Sequence, residues 1–228
     1  MHSNKDNLQV LHEDNHLIVI NKRAGDIVQG DKTGDKPLSD VVKEYIKDKY
    51  NKPGAVYLGT VHRLDRPTSG VVIYARTSKA LERLNKMLRE KTIKKTYWAV
   101  VKNEPKKSKD TLINFLKKNP KNNKSTAYPK EIDGSKKAIL HYKILKKLDN
   151  YSLLEIDLET GRHHQIRVQL SNIGATIKGD LKYGAKRSNK DGSIHLHARK
   201  IEFIHPVSKE VVKITAPTPK EAIWDACL

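Results

Sequence analysis

Residues 59–80 read GTVHRLDRPTSGVVIYARTSKA, and this stretch decides how the chain is interpreted. One carboxylate, Asp65, stands between Arg63 and Arg66, just ahead of a continuous apolar run at residues 70–75. The run has the length of a buried strand. Neighbouring cations keep a carboxylate ionised and oriented, as a nucleophile or base requires. A loop-stabilising ion pair is the structural alternative, and local chemistry alone does not decide between the two.

Apolar spacing on both sides of this stretch predicts strands and helices in irregular order. The predicted strands are at 8–11, 16–20, 70–75, 97–101, 154–158 and 201–204. The first two flank the turn-like residues 13–15 and could form a hairpin. Helical spacing follows Ser39, which could cap its helix, and recurs through residues 81–88 and 166–173. Strands and helices that do not alternate strictly favour an α+β fold. The 228 residues are expected to form a single domain over 1–228.

The chain is strongly basic, with a formal net charge of +19 and a pI near 9.8. Such a field attracts polyanions, so RNA, DNA and anionic membranes are all candidate partners. A surface that serves only solubility is the alternative.

Residues 106–147 concentrate this charge, because they hold thirteen Lys against Asp110, Glu131 and Asp133, about +10 in all. We interpret this segment as an insertion or a hairpin-rich flank that faces phosphate. Four of its lysines surround Asn119 and Pro120 in a predicted exposed turn: Lys117, Lys118, Lys121 and Lys124.

Cysteine content and the first residues indicate the compartment. Cys227 is the only cysteine, so the sequence has no disulfide framework and no cysteine-based zinc site. The opening MHSNKDNL is polar, and no stretch approaches the ~20 apolar residues of a membrane span. We expect a cytoplasmic protein without a membrane partner.

Residues 160–167, TGRHHQIR, form a second candidate site where a predicted strand meets a helix. Arg167 could reach a buried carboxylate from there, whereas the structural alternative is a solvated basic turn. Adjacent histidines are more often hydrogen-bonded structural groups than ligands. Without cysteines in these segments or a His-Glu helix signature, no metal site is expected here or at His195 and His197.

Five ordered segments together resemble the RluA-type pseudouridine synthase family. The two longest are residues 59–80 and TGRHHQIRVQLSNIGATIKGDLKYG at 160–184. The other three are VLHEDNHLIVINKRAG, KKTYWAVV and IHLHARKIEFIHPVSKE. The resemblance spans residues 8–217, and the order of the segments makes coincidence improbable. Arg23, where the family usually has Pro, and Gln169, in place of a common His, depart from its pattern and bear on substrate choice.

The resemblance implies a pseudouridine synthase fold, an extended, mixed and mainly antiparallel sheet flanked by helices with a central active-site cleft. It implies that Asp65 is the essential aspartate, Tyr97 the active-site tyrosine, and Arg167 the arginine that pairs with the aspartate. Arg63 would help to hold RNA once the target base has left its stack, and Ile166 belongs to an apolar segment beside the site. The predicted substrate-binding residues are His62, Arg63, Arg66, Arg162, Gln165 and Ile166.

The implied reaction detaches uracil from its sugar and rejoins the sugar to a ring carbon. It has no net redox change and no group donor, so no cofactor is expected. The carboxylate could attack the sugar, add to the pyrimidine or support proton removal towards a sugar alkene, and the sequence does not choose among these routes.

Two rival interpretations and the choice of partner follow from the same residues. A catalytically silent RNA-binding or ribosome-assembly module would need the charge but not Asp65. A kinase would need HRDLxxxN, a glycine-rich loop and DFG, which the sequence lacks. Because the first family-like segment begins by Leu8, no N-terminal accessory RNA-binding domain is expected. The predicted partner of this predicted monomer is ribosomal or transfer RNA.

Overall fold

The computed structural model describes residues 2–31 and 33–228, which divide into two compact units. The first unit contains residues up to 94 together with 198–219, and the second contains residues 95–197 and 220–228. Each unit is built on β-strands and carries two α-helices. The predicted α+β class is confirmed, and the single-domain assignment stays a prediction.

The strands, in chain order, are β1 (Val10–Glu13), β2 (Leu17–Lys22), β3 (Gly59–Thr60), β4 (Ser69–Ala75), β5 (Lys94–Val101), β6 (Lys109–Asn119), β7 (Lys124–Tyr128), β8 (Lys136–Lys147), β9 (Ser152–Leu158), β10 (Leu196–Ile204) and β11 (Val211–Thr215). The helices are α1 (Leu38–Lys49), α2 (Ser78–Arg89), α3 (Gln165–Asn172) and α4 (Ala222–Cys227), with a 3-10 helix at Leu181–Tyr183.

In the first unit the strands follow the order β1-β2-β4-β10, with β3 beside β4 and β11 beside β10. The predicted hairpin at the start of the chain is β1 with β2, which pair antiparallel. Strands β2 and β4 are buried along their whole length, which explains their continuous apolar runs. Helix α2 packs Ala80 and Leu84 into the same apolar cluster as Leu17 and Ile73 of these strands.

The two helices of the first unit begin differently. The Thr77 hydroxyl accepts a hydrogen bond from the Ala80 N–H at 3.1 Å and thereby caps α2. Helix α1 begins after Pro37 without a side-chain cap, and Ser39 lies inside its first turn. The prediction that Ser39 caps α1 is therefore wrong, because the preceding proline already fixes a backbone dihedral at this boundary.

Gly70 marks a close approach of backbones in the first unit. Its φ is +112°, and a Cβ there would lie 2.4–2.8 Å from backbone atoms of Ala198 in β10. Only glycine can occupy this position without displacing a strand. The constraint falls five residues after Asp65, so it fixes where the loop of Asp65 joins the sheet.

The second unit orders its strands as β5-β9-β8-β6-β7, and the pairs along this path are antiparallel. The Lys-rich segment is three of these strands, β6 to β8, so its interpretation as hairpin-rich is confirmed. Helix α3 is buried from Gln165 to Leu170. Helix α4 packs Trp224 and Cys227 against Val100 and Leu153. Among the described residues, no helix is long and apolar enough to cross a membrane.

Candidate active site

Asp65 lies in the loop of residues 61–68 between β3 and β4, and it is partly exposed. The Thr68 N–H donates to the Asp65 carbonyl at 3.0 Å, which closes a tight turn over residues 65–68. Buried Val61 and Leu64 anchor the first half of the loop, and buried Thr68 anchors its end. A carboxylate on an anchored turn between two strands is held in place while one side stays accessible.

A buried lysine, Lys22, stabilises this turn through hydrogen bonds to its backbone. The Lys22 ammonium donates to the carbonyls of Arg23 at 2.8 Å, Arg66 at 3.2 Å and Thr68 at 2.7 Å. Burial lowers the pKa of Lys22 to about 7, although the charges of Asp26 and Asp65 oppose the change. Lys22 was not among the predicted site residues. The sequence could have indicated Lys22, because a lysine at the end of the apolar strand LIVINK is unusual.

The three cationic or titratable neighbours of Asp65 have different surroundings. Arg66 donates its Nε–H to the Gly25 carbonyl at 3.1 Å and forms an ion pair with Asp35. His62 accepts the Ile73 N–H at its Nε2 over 3.2 Å, which ties the loop to β4. Arg63 is exposed to solvent. Arg63 is therefore the best placed of the three to meet a polyanion, whereas Arg66 and His62 also stabilise the loop.

Tyr97 belongs to β5 in the second unit and is 8% exposed. It pairs in register with Ile156 of β9, so the two side chains share one face of the sheet. Lys95 lies two residues earlier on the same face, and burial lowers the pKa of its ammonium. Lys95 was missed as a candidate, although the two-residue strand period already pairs it with Tyr97.

Arg167 is buried in α3 and holds a bidentate ion pair with Asp180. Its Nε lies 2.7 Å from Oδ2 and its Nη2 2.8 Å from Oδ1. Asp180 is itself buried at 1% exposure, so this pair is fixed in a low-dielectric setting. The expected partner type, a buried carboxylate, is thus present, but Asp180 was not predicted. The pairing of Arg167 with Asp65 stays a prediction.

The segment of residues 160–165 is held by one amide side chain. Gln165 accepts at Oε1 from the Thr160 hydroxyl at 2.8 Å and the Arg162 N–H at 3.0 Å, and donates from Nε2 to the Ile139 carbonyl at 3.0 Å. Ile166 beside it is buried. Arg162 is exposed, and its Nε–H donates to the Lys137 carbonyl at 3.0 Å. Gln165 therefore shapes the turn, and Arg162 is the accessible group on it.

The two histidines of this segment are structural groups in the second unit. His164 has a φ of +53°, and its Nδ1 lies 2.9 Å from the Tyr183 hydroxyl. The Ser125 hydroxyl donates to the His163 carbonyl at 2.8 Å, and the Ser125 N–H donates to the Tyr183 hydroxyl at 2.8 Å. These bonds fix the start of α3 against β7. His164 precedes α3 in the left-handed conformation and forms no side-chain cap, whereas a capping residue usually has an extended backbone. The sequence did not predict this conformation.

The predicted residues are thus divided between the units. Asp65, with His62, Arg63 and Arg66, belongs to the first unit. The second unit contains Tyr97 and the group from Arg162 to Arg167. Among the described residues no group of three or more His, Cys, Asp and Glu side chains is arranged to hold a metal ion. His195 instead contacts Glu221 at 2.6 Å and Asn189 at 2.9 Å.

The first unit supplies a carboxylate on an anchored turn, and the second unit supplies a buried tyrosine and a guanidinium held in a fixed orientation. A carboxylate of this kind can act as a nucleophile or base, and a tyrosine ring can stack on a heterocycle. Accessible arginines at positions 63 and 162 can bind phosphate. Each of these groups is suited to binding or chemistry on a nucleotide within a polyanion.

Comparison with known proteins agrees with this chemistry. The RNA pseudouridylate synthase family matches residues 16–172. A ribosomal large subunit pseudouridine synthase C of Buchnera aphidicola is 38% identical over an alignment of 220 residues that covers 92% of this chain and 67% of the relative. An RNA pseudouridine synthase of Synechocystis is 36% identical over an alignment of 216 residues that covers 93% of this chain and 66% of that protein. This chain spans about two thirds of these relatives.

A solved structure shares the fold of this chain. The solved structure of human RNA pseudouridylate synthase domain containing 4 superposes with a TM-score of 0.79, covering 96% of this chain and 92% of that one at 23% identity. The rival interpretation as a catalytically silent module is not favoured by these relatives. The family match and the identity to two pseudouridine synthases agree with the HRLD loop and the TGRHHQIR turn. This chain therefore belongs to the RluA-type family of RNA pseudouridine synthases.

Proposed function

We propose that this protein isomerises specific uridines in structured RNA to pseudouridine and that Asp65 is its catalytic carboxylate. The observation that carries the proposal is the placement of Asp65 on an anchored, partly exposed turn in a chain of this family. Ribosomal RNA is the first substrate class to test, because the Buchnera relative is named as a large-subunit enzyme. Transfer RNA is the second class.

The roles of the other residues follow from their chemistry. Arg167 would favour the ionised form of the catalytic carboxylate, and the Tyr97 ring would stack on the detached uracil while its hydroxyl assists the last proton removal. Arg63, His62, Arg66, Arg162, Gln165 and Ile166 would contact the RNA around the target. The rearrangement has no net redox change, so the proposed enzyme needs no metal or organic cofactor.

The charge of the protein supports the same proposal. A duplex hides the glycosidic bond, so the target uridine has to leave its stack at a cost of a few kcal/mol. Phosphate contacts offset this cost, and the thirteen lysines of residues 106–147 are all exposed and able to supply them. We also propose that the protein acts in the cytoplasm as a monomer.

The decisive test is Asp65→Asn. This change removes the ionised carboxylate but preserves the shape of the side chain and leaves the lysines intact. We expect isomerisation to be abolished while RNA affinity stays within about twofold, a difference well below 1 kcal/mol. Turnover is measured by tritium release from RNA that contains labelled uridine. Mapping of pseudouridines in ribosomal and transfer RNA from a deletion strain identifies the sites that depend on this protein.

Asp149→Asn is the matched control, because Asp149 is an exposed aspartate in the turn after β8. We expect the control to keep full turnover. Turnover of the Asp65→Asn protein at the wild-type rate would refute the assigned role of Asp65. If the wild-type protein binds RNA but forms no pseudouridine under any condition tested, the catalytically silent RNA-binding module would be favoured instead.

A further inference from the structure

One face of the β6–β8 part of the sheet is left uncovered in the second unit. On β6, Leu112 and Leu116 point to the covered side, where Leu116 clusters with Val168 of α3. Strand alternation places Ile113 and Phe115 on the opposite side. Ile113 is 53% exposed, and Phe115 is half-buried. Apolar groups of this size on an uncovered sheet face indicate a contact surface.

Strand register places two aromatic rings next to each other on that face. Phe115 is directly opposite Tyr128 of β7 and, on its other side, Lys137 of β8. One step away along the strands, Ile113 is opposite Ile139. Directly opposed residues have Cβ atoms about 4.5–5.5 Å apart, so these side chains form one continuous patch. We call Ile113, Phe115, Tyr128 and Ile139 with Lys117 and Lys137 the Phe115 face.

The charge of the Phe115 face is positive and uncompensated. Lys117 and Lys137 are exposed, and within the described part of the chain neither forms an ion pair. At the far end of the same face Glu155 forms an ion pair with Lys143 at 2.8 Å, Glu159 contacts His141 at 2.7 Å, and Asp157 accepts from the Thr96 hydroxyl at 2.7 Å. The aromatic pair is therefore flanked by two ammonium groups, and the acidic groups of this face lie away from them.

The Phe115 face adjoins the turn that leads to Arg167. Arg162 donates to the carbonyl of Lys137, and the carbonyl of Ile139 accepts from Gln165. Both acceptors are backbone atoms of residues whose side chains line the face. A polymer bound across Phe115 and Lys137 would thus reach exposed Arg162 directly.

We propose that the Phe115 face binds a single-stranded stretch of the substrate RNA, with bases stacked on Phe115 and Tyr128 and phosphates on Lys117 and Lys137. The inference rests on the proposed function. Aromatic rings stack on bases of any sequence when the bases are unpaired, and flanking lysines track the backbone. A second copy of this chain is a poorer occupant, because a symmetric contact would oppose like charges.

The test compares affinities of Phe115→Leu, Tyr128→Leu and the double variant for a single-stranded oligouridine and for an RNA duplex. Fluorescence anisotropy gives each dissociation constant. Loss of one stacked base weakens binding by about fivefold or more, so each variant should lose at least that factor for the single strand and nothing for the duplex. Tyr57→Leu, which alters an exposed tyrosine of the other unit, is the control and should bind as wild type.

Two further measurements separate stacking from charge and from damage to the fold. Phe115→Trp keeps a stacking ring and should retain wild-type affinity. The leucine variants carry no charge change, so the slope of log affinity against log salt should be unaltered, whereas Lys117→Gln and Lys137→Gln should each flatten it by about 0.7. Circular dichroism melting identifies any variant that is unfolded.

Three outcomes would overturn the inference: unchanged single-strand affinity in a folded double variant, equal losses for duplex and single strand, or a shift in sedimentation that shows the face joins two copies. Pseudouridine formation by the wild-type protein tests the proposed function separately. An active wild-type protein whose double variant binds normally would refute only the Phe115 face. An inactive wild-type protein whose double variant still loses single-strand affinity would refute only the proposed function.

Discussion

At the scale of single residues, the buried ammonium of Lys22 has the strongest physical consequence. Two of its three carbonyl bonds reach Arg66, which follows Asp65, and Thr68, which ends the turn. Burial of a cation disfavours its charged form, and here it brings the pKa down to about 7 from an ordinary 10.5. Lys22 therefore links the proton concentration to the stability of the turn that carries Asp65.

The sign of this link follows from proton counting. Between pH 7 and 10.5 the unfolded chain holds a proton at Lys22 that the folded chain has released, so stability rises with pH in this window. We expect the free energy of unfolding of the wild type to rise relative to Lys22→Met by about 1.4 kcal/mol for each pH unit between about 7.5 and 9.5. Urea unfolding at several pH values measures it.

The control for this titration is Lys79→Met, which removes an exposed lysine of α2 that the sheet does not bury. Parallel pH dependences of the wild type and the Lys22→Met protein would show that Lys22 keeps its ordinary pKa when folded.

The sequence did not predict side-chain partners that are separated along the chain and meet only in the folded structure. The motif identified Arg167 as a residue that needs a carboxylate, and the structure provides Asp180, thirteen positions later across a turn. No periodicity marks that pairing, because it depends on how the loop after α3 closes. Lys95, in contrast, could have been found, since strand alternation alone places it on the face of Tyr97.

At the scale of elements, periodicity predicted most of the architecture. The hairpin of β1 and β2, the buried strand β4 and the helix α2 with its leucines were all expected, and each is present. Strand β11 and helix α4 were missed, because each is short and only partly buried. A five- or six-residue element carries too few turns or alternations for its period to stand out.

The β6–β7 hairpin is the element whose charge can be tested most directly. Lys117 and Lys118 lie on β6, Lys121 in the turn, and Lys124 at the start of β7, all exposed. We expect their combined change to Gln to flatten the slope of log RNA affinity against log salt by roughly 0.7–0.9 for each phosphate that the variant no longer neutralises. Turnover at saturating RNA should persist, because the hairpin lies outside the proposed catalytic set.

The same number of charges is removed from exposed positions elsewhere as a control: Lys47, Lys52, Lys79 and Lys200. That variant should keep the wild-type slope if RNA binding is concentrated on the hairpin. Equal slopes for wild type and hairpin variant would assign the hairpin lysines to solubility, and the RNA-binding surface would then have to be sought around Arg63 and Arg66.

At the scale of the whole molecule, net charge and chemistry make separate demands. The +19 charge accounts for attraction to any polyanion and would be equally useful to a binding module. The isomerisation needs nucleophilic or acid-base groups, which we propose are Asp65 and Tyr97, with Arg167 proposed to favour the ionised carboxylate. Composition predicted the partner class, whereas the ordered motifs were needed to predict the reaction.

The last prediction is that the chain alone is sufficient for turnover. Breaking the bond from sugar to ring nitrogen and rejoining the sugar to carbon leaves the oxidation state unchanged and transfers no group, so a cofactor has no step to perform. We expect protein dialysed against EDTA to convert a short RNA hairpin, folded in monovalent salt alone, at the rate of undialysed protein. Tritium release measures this rate, and melting of the hairpin confirms that its fold survives without divalent ions. A loss of activity restored by one metal only, with the RNA fold unchanged, would contradict cofactor independence.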